Sequence, residues 1–302
     1  MVWLTWRQHR LQFLVTAGLI AVFGIAMLVH GNLVANIVSG YAGDPADVEA
    51  VLGEYYNDAY QVLTWLPIMP VLIGLFWGMP VLTREFEKQT HLLAWTQSVT
   101  RGRWIAVKLG SLTAVAALFG LALGAIVTTW LSTFGETRYA EPFADPGLFS
   151  STGVAAGAWW AFGFVLGASA GAFVRRMLPA MAVTIAVFVL VMVGIFTSRD
   201  GYAEPARLPV DAMPPVGSLI AHNTWVGPDG VEVPAGQNPP VCQNEPRDTY
   251  LGCVEDAGYR NLLYVYPPSM YWRFQWTESG LLLAAAALLG GAAVYRISRR
   301  PV

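Results

Sequence analysis

Apolar and polar positions fall in long alternating blocks along this chain. Six apolar runs stand out, at about residues 11–29, 62–82, 105–131, 153–174, 177–196 and 278–295. Each is close to the roughly 20 residues that a helix, rising about 1.5 Å per residue, needs to cross a hydrocarbon core of about 30 Å. The first is broken only by Gln12 and Thr16. The second carries Pro67, Pro70 and Pro80, which kink a spanning helix and free backbone carbonyls. Pro179, just after Arg175 and Arg176, marks a turn between the fourth and fifth runs. Ahead of the first run, MVWLTWRQHR sets Trp3 and Trp6 among Arg7 and Arg10, the pattern of a short helix lying at the interface.

The polar blocks are of two kinds. His30–Gln61, Ser132–Thr152 and the long Pro- and Gly-rich Thr197–Thr277 are acidic. The remaining connections and both chain ends hold Arg7, Arg10, Arg84, Lys88, Arg101, Arg103, Lys108, Arg175, Arg176, Arg296, Arg299 and Arg300, with only Glu85 and Glu87 as acids. By the positive-inside rule this segregation makes both termini cytoplasmic and residues 197–277 extracellular. A missed or false span would scramble it, so it also supports six spans. Composition agrees: of 302 residues 13% are charged and mean hydropathy is +0.47, whereas a soluble domain carries about a quarter charged residues. The expected fold is therefore an all-α polytopic membrane protein with six transmembrane helices, one membrane domain over residues 1–302. The first run is too long for a cleavable signal peptide and lacks a small-x-small site before a polar domain. Arg far outnumbers Lys, and Ala and Gly abound, a composition that points to a GC-rich bacterial genome.

Chemical motifs are sparse. The chain has no G-x-x-x-x-G-K-[ST] phosphate loop, no H-E-x-x-H, no G-x-S-x-G and no Cys/His metal spacing. Its four histidines, His9, His30, His91 and His222, are scattered, and the interiors of the six runs are read as free of Asp and Glu. These features argue against an enzyme and against a proton-coupled carrier. Lys108 is expected to snorkel to the inner surface. Both cysteines, Cys242 and Cys253, fall in the outer region, where an oxidising compartment favours a disulfide contributing roughly 3 kcal/mol to local order. Glycines recur four apart at Gly74/Gly78, Gly120/Gly124, Gly153/Gly157 and Gly163/Gly167/Gly171. Such faces let helices approach closely; in so Gly-rich a chain only the last run is expected to form a packing face. Trp225, a G-P-D-G turn at Gly227–Gly230 and the aromatic YVYPPSMYWRFQWTES from Tyr264 mark the outer region. The last reads as an interfacial belt, with a lid over an exit as the alternative.

One polar stretch remains, Arg84–Lys108, between the second and third runs. Read as a helix over 84–103, it puts Phe86 and Leu93 seven apart and Leu92, Trp95 and Val99 on one flank, with Glu85, Glu87, Lys88 and Gln97 elsewhere. Acids near its start and Arg101 and Arg103 near its end suit the helix dipole. Acids beside anionic headgroups fit a protein partner better than a lipid surface.

Six spans, Arg84-Glu85-x-Glu87-x-x-Thr90 after the second, and a long outer region before the sixth resemble the type-2 ABC exporter permeases. TWRQHR at Thr5, LAWTQSVTRGRW at Leu93 and FQWTES at Phe274 are similar to an actinobacterial group of them. Gln89 stands where the family usually has Gly before Thr90, so the helix is expected to continue where relatives bend. The resemblance implies a type V ABC exporter-like fold and a membrane subunit paired with a second permease copy, identical or not. It also implies two ATP-binding subunits that bind ATP and Mg on separate chains. Arg84, Glu85, Phe86, Glu87, Thr90, His91 and Trp95 would then form the cytoplasmic coupling helix docked on the ATPase. Met69, Phe76, Trp77, Met181, Phe188 and Met192, on the second and fifth spans, would line a path for amphipathic cargo such as a small molecule, lipid or peptide. Lipid is the other expected contact, in a bacterial cell membrane, and nucleic acid is not a partner. A membrane sensor or scaffold that binds a ligand through the Cys242–Cys253 region is the competing function.

Overall fold

Glycine and alanine supply over half of the fourth apolar run, and that composition puts it at the centre of the helices. A computed structural model describes residues 2–40, 45–87, 101–135, 137–234, 236–242, 246 and 249–299. In chain order the helices are α1 (Val2–Gly40), α2 (Pro45–Leu63), α3 (Met69–Ile73), α4 (Met79–Glu87), α5 (Arg101–Ser132), α6 (Pro146–Ser150), α7 (Gly153–Val174), α8 (Met177–Ser198), α9 (Tyr250–Asp256) and α10 (Tyr271–Arg299). The strands are β1 (Ala206–Arg207), β2 (Leu219–Val226) and β3 (Arg260–Tyr266). Contacts divide the chain into two compact units: Met1–Pro142, Pro146–Thr197 and Gln275–Val302 form one, Phe143–Asp145 and Ser198–Phe274 the other.

Among the described residues, six helical stretches are long and apolar enough to cross a membrane: Arg7–Gly40, Val48–Thr83, Gly102–Ser132, Gly153–Val174, Met177–Gly201 and Pro268–Arg299. In the first unit every residue of α7 from Ala155 to Ala172 is buried. Without a hydrophobic drive between helices in lipid, close van der Waals contact has to hold them, and small residues permit it. A Cβ on Gly163 would fall on the Pro70 carbonyl, one on Gly167 on the Gly74 carbonyl, and one on Gly78 on the Phe164 carbonyl. On another side of α7, a Cβ on Gly120 would lie 2.6 Å from the Ala156 carbonyl oxygen, and one on Gly157 2.7 Å from Leu121 Cγ. The pairs at Gly74/Gly78 and Gly120/Gly124, set aside as compositional, thus pack against α7, the first of them on the face that carries Gly163 and Gly167. By contrast, α1 exposes Leu11, Leu14, Leu19 and Val22, α8 exposes Leu178 and Leu190, and α10 exposes Leu288. Those are outward apolar faces suited to lipid.

The helix ends follow local chemistry. Arg175 adopts the left-handed conformation (φ 59°) after α7, and its N–H donates to Gly171 O at 3.1 Å, a common helix stop. Threonines inside the spans return their hydroxyls to carbonyls four residues back: Thr83 to Met79 at 2.9 Å, Thr128 to Gly124 at 2.8 Å and Thr184 to Ala180 at 2.8 Å. Lys108 does not reach outward as expected. It is buried, with Nζ 5.3 Å from the Trp104 ring.

Two expectations for this unit need correction. The N-terminal interfacial helix is not separate, because α1 runs unbroken from Val2 to Gly40. The acidic block after the first run is helical too. In α2, Leu52, Ala59 and Leu63 are buried at spacings of seven and four while Glu54 and Asp58 stay exposed, an amphipathic pattern that the acids obscured. Its Tyr56 joins an aromatic cluster with Trp130 (6.0 Å) and Phe134 (5.7 Å), and Trp130 Nε1 donates to His30 Nδ1 at 3.1 Å.

The second unit corrects the all-α expectation, since it holds a three-stranded antiparallel sheet in the order β1-β3-β2. Ala206 pairs with Val265 and Leu219 with Tyr266, with a register shift between Ile220 and His222. The β-branched and aromatic residues of β3 favour a strand, so Tyr264–Tyr266 of the aromatic stretch is sheet, not helix. The G-P-D-G sequence does form a turn: Gly230 N–H donates to Gly227 O at 2.9 Å with Gly230 at φ 78°. Phe274 is fully buried among Phe143, Tyr202 and Tyr266, at 5.1, 5.4 and 5.0 Å between ring centres. Cys242 and Cys253 are joined by a disulfide.

On the sheet, Glu232 accepts hydrogen bonds from Arg207 Nε at 2.9 Å and Tyr264 Oη at 3.0 Å. Arg207 first, then Tyr264, hold its carboxyl below the usual carboxylate range. A carboxylate with a depressed pKa contributes stability above its unfolded pKa, and that contribution disappears as pH falls through the folded one. Lowering the pH below the ordinary glutamate range should therefore loosen the two-residue strand β1, measured as faster exchange of the Leu208 amide, which bonds Leu263 O. Glu232→Gln should remove this acid sensitivity.

Candidate functional site

The second span departs furthest from a regular helix, and its prolines explain why. Pro67 and Pro70 cannot donate, and the chain tightens into a 3-10 turn at Leu66–Ile68, with the Ile68 N–H on Trp65 O at 3.1 Å. Beyond α3, a π-turn at Gly74–Gly78 brings the Met79 N–H to Gly74 O. Pro80 then removes the donor that an α-helix would bring to the Phe76 carbonyl, four residues back. Gln12 Nε2, from α1, donates to that carbonyl at 3.1 Å, and Gln12 Oε1 lies 2.7 Å from His9 Nδ1. Phe13 meets Trp77 edge-on at 5.1 Å, and Trp77 meets Phe119 at 5.7 Å.

At the other end of the second span lies a cavity. Its walls are Leu66, Pro67 and Pro70 from that span, Leu123 from α5, Ser150 and Ser151, Ala156, Trp159 and Trp160 from α7, and Met192 and Phe196 from α8. It has room for about one water molecule. Aromatic rings pack its α7–α8 wall: Trp159 lies 5.5 Å from Phe188, which stacks on Phe162 at 6.2 Å.

Behind Trp159 is a buried polar group of residues. Thr152 stands at the N-cap of α7, but its hydroxyl goes back to Phe149 O at 3.1 Å and makes no cap bond. Gln275, on α10, takes over: its Oε1 accepts the Ala155 N–H at 2.8 Å and its Nε2 donates to Phe149 O at 3.0 Å. One turn on, the carboxylate of Glu278 accepts from Trp159 Nε1 at 2.7 Å and Ser150 Oγ at 3.3 Å. Both side chains are fully buried. One face of α10 thus satisfies helix-end groups that lipid could not.

A family model described as ABC-2 membrane transporter related matches residues 11–199. The chain belongs to this family. No curated protein and no solved structure matches it. As an ABC-2 permease it is a multi-pass membrane subunit of an ABC transporter, and the family implies an ATP-binding partner.

The permease places the residues nominated from sequence in several environments. Arg84, Glu85, Phe86 and Glu87 occupy the last turn of α4; Gln89, Thr90, His91 and Trp95 lie outside the described residues. Of the proposed path residues, Met192 lines the cavity and Phe188 packs behind it. Met69 and Met181 are half-buried, Trp77 is buried between Phe13 and Phe119, and Phe76 is exposed. The sequence reading missed Gln275 and Glu278, because the last span was started at Glu278. The helix begins at Tyr271, so an acid does lie inside a spanning stretch. Their i, i+3 spacing within FQWTES put both on one helix face and was the available signal.

Replacing Gln275 by Leu should leave the Ala155 N–H and the Phe149 carbonyl buried without this partner. The Phe149 carbonyl keeps the Thr152 hydroxyl, so at about 1–3 kcal/mol for the unsatisfied Ala155 N–H, detergent-solubilised Gln275→Leu should melt several degrees below wild type in a thermal unfolding assay.

Proposed function

We propose that the permease is the transmembrane half of an exporter in a bacterial cell membrane, driven through residues 84–103 by a separate ATP-binding subunit. The observation that carries this reading is the course of the second span. One element runs from the cavity wall at Leu66–Pro70, along the glycine seam with α7, to Arg84–Glu87. From Pro70 to Glu87 it covers about 25 Å at the helical rise, so a push delivered at its end is transmitted to the cavity through a single piece of backbone.

Charge segregation supports an orientation with both termini and residues 84–103 in the cytoplasm and residues 197–277 outside. In the working transporter two permease copies pair, each on one ATP-binding subunit, and ATP and Mg sit on the partner chains. Outward apolar faces of α1, α8 and α10 supply surface for lipid and for the second copy. The cavity is the resting, closed form of the cargo path. Its tryptophans, Met192 and Phe196, with the hydroxyls of Ser150 and Ser151, suit a small amphipathic molecule, lipid or peptide. The likeness of TWRQHR and FQWTES to an actinobacterial group supports a source of that kind.

The test is assembly. Purified with its ATP-binding subunit, the double variant Glu85→Lys/Glu87→Lys should lose co-purification and stimulated ATP hydrolysis while still folding in the membrane. Unchanged assembly and unchanged hydrolysis would refute docking at this stretch. Ligand binding by residues 197–277 in a permease that engages no ATPase would favour a sensor instead.

A further inference from the structure

We infer that Gln12 is a positioning residue for the second span: its side-chain amide sets the bend at Gly74–Pro80 and so the placement of the chain that leaves the span at Arg84–Glu87. The bend has two supports. On one side α7 holds it by backbone contact, with Gly74 against the Gly163 carbonyl and Gly78 against Phe164 O and Ala168 N. From α1 comes the Gln12 donor to the Phe76 carbonyl.

The chemistry makes the second support specific. Pro80 has no N–H, so the ordinary helical donor for the Phe76 carbonyl does not exist. Away from water such a carbonyl needs a partner from elsewhere. The carbonyl can only accept, which fixes the Gln12 amide nitrogen toward it and Oε1 toward His9. His9 Nδ1 must therefore carry a proton and donate, at 2.7 Å. His9 orients Gln12, and Gln12 completes the bend. Phe13 against Trp77 keeps the two helices in register beside this bond. The contact joins residues 64 apart in sequence, so α1 senses the bend directly. If the second span is the lever that the proposed ATPase docking requires, Gln12 fixes its angle; that consequence rests on the docking reading, and the hydrogen bond does not.

Phe76-Trp77 is the single Phe-Trp dipeptide in the sequence. Labelling Phe with ¹³C at the carbonyl and Trp with ¹⁵N therefore gives one NMR signal for the Phe76 carbonyl in the full-length protein in lipid. Gln12→Leu should move that carbonyl resonance upfield, as a lost hydrogen bond does. His9→Phe, which removes only the orienting donor, should move it the same way by less. Gln12→Leu/Pro80→Ala, in which residue 80 regains an N–H, should return it toward the wild-type position. With the ATP-binding subunit present, Gln12→Leu should lower ATP hydrolysis about fivefold at unchanged KM for ATP, the worth of about one hydrogen bond, and the double variant should recover it. A resonance unmoved by Gln12→Leu would overturn the inference, as would hydrolysis that stays low in a double variant whose resonance has returned. If no ATP-binding subunit engages the wild-type protein, the docking reading fails while the carbonyl resonance still decides the role of Gln12.

Discussion

The contact on which the rest of this permease depends is made mostly by backbone atoms. Gly163 and Gly167 of α7 meet Pro70 and Gly74 of the second span at backbone distance, and Gly171 faces the Met79 carbonyl and the Thr83 hydroxyl. In water, helices associate to hide apolar surface; in lipid that drive is absent, and only contact density and polar complementarity are left. Removing every Cβ from one seam lets two backbones approach until their atoms touch. The seam also permits the irregularity of the second span. A helix interrupted by Pro67, Pro70, a π-turn and Pro80 is held along its length by an uninterrupted α-helix beside it. That neighbour is α7, itself gripped on another side by Gly120, Gly124 and Leu121 of α5.

The second constraint is satisfaction of backbone polar groups away from water. The permease meets it with side chains carried by other helices. Gln12 of α1 serves the Phe76 carbonyl, and Gln275 of α10 serves the Ala155 N–H and the Phe149 carbonyl. Threonine hydroxyls return to their own helices. Glu278 belongs to the same scheme, gathering Trp159 and Ser150 around one carboxylate. These polar residues within the spans thus have places that their chemistry explains, and several tie elements that are far apart in the chain.

Much of this was legible from residues alone. Six apolar runs and the separation of basic from acidic connections are properties of blocks many residues long, and blocks survive tertiary context. Element limits did not follow, because polar residues at helix ends look like loop. The acids of α2 concealed Leu52, Ala59 and Leu63, and Tyr271–Thr277 looked like a belt before the last span. The sheet of the second unit escaped notice because its strands pair across tens of residues, between Leu219 and Tyr266 for example. The glycine pairs were visible, but their partners were not. Spacing reports a small face, whereas only the fold brings Gly74 to Gly163. Of the residues nominated for a cargo path, Met192 lines the cavity, while Gln12 and Gln275 drew no notice as ligands of the backbone. Their targets are carbonyls and amides that sequence does not single out.

A pair of glycine substitutions tests the seam most directly. Gly167 faces the Gly74 backbone, whereas a Cβ on Gly291 of α10 would meet nothing within 4 Å. Both lie inside helices, so replacement by Ala carries the same gain in helix propensity, about 1 kcal/mol, and differs only in what the new methyl meets. Thermal unfolding of the two variants in the same detergent should show Gly291→Ala melting at or above wild type and Gly167→Ala well below it, or not accumulating in the membrane. Equal melting temperatures for the two would contradict backbone docking of the second span on α7.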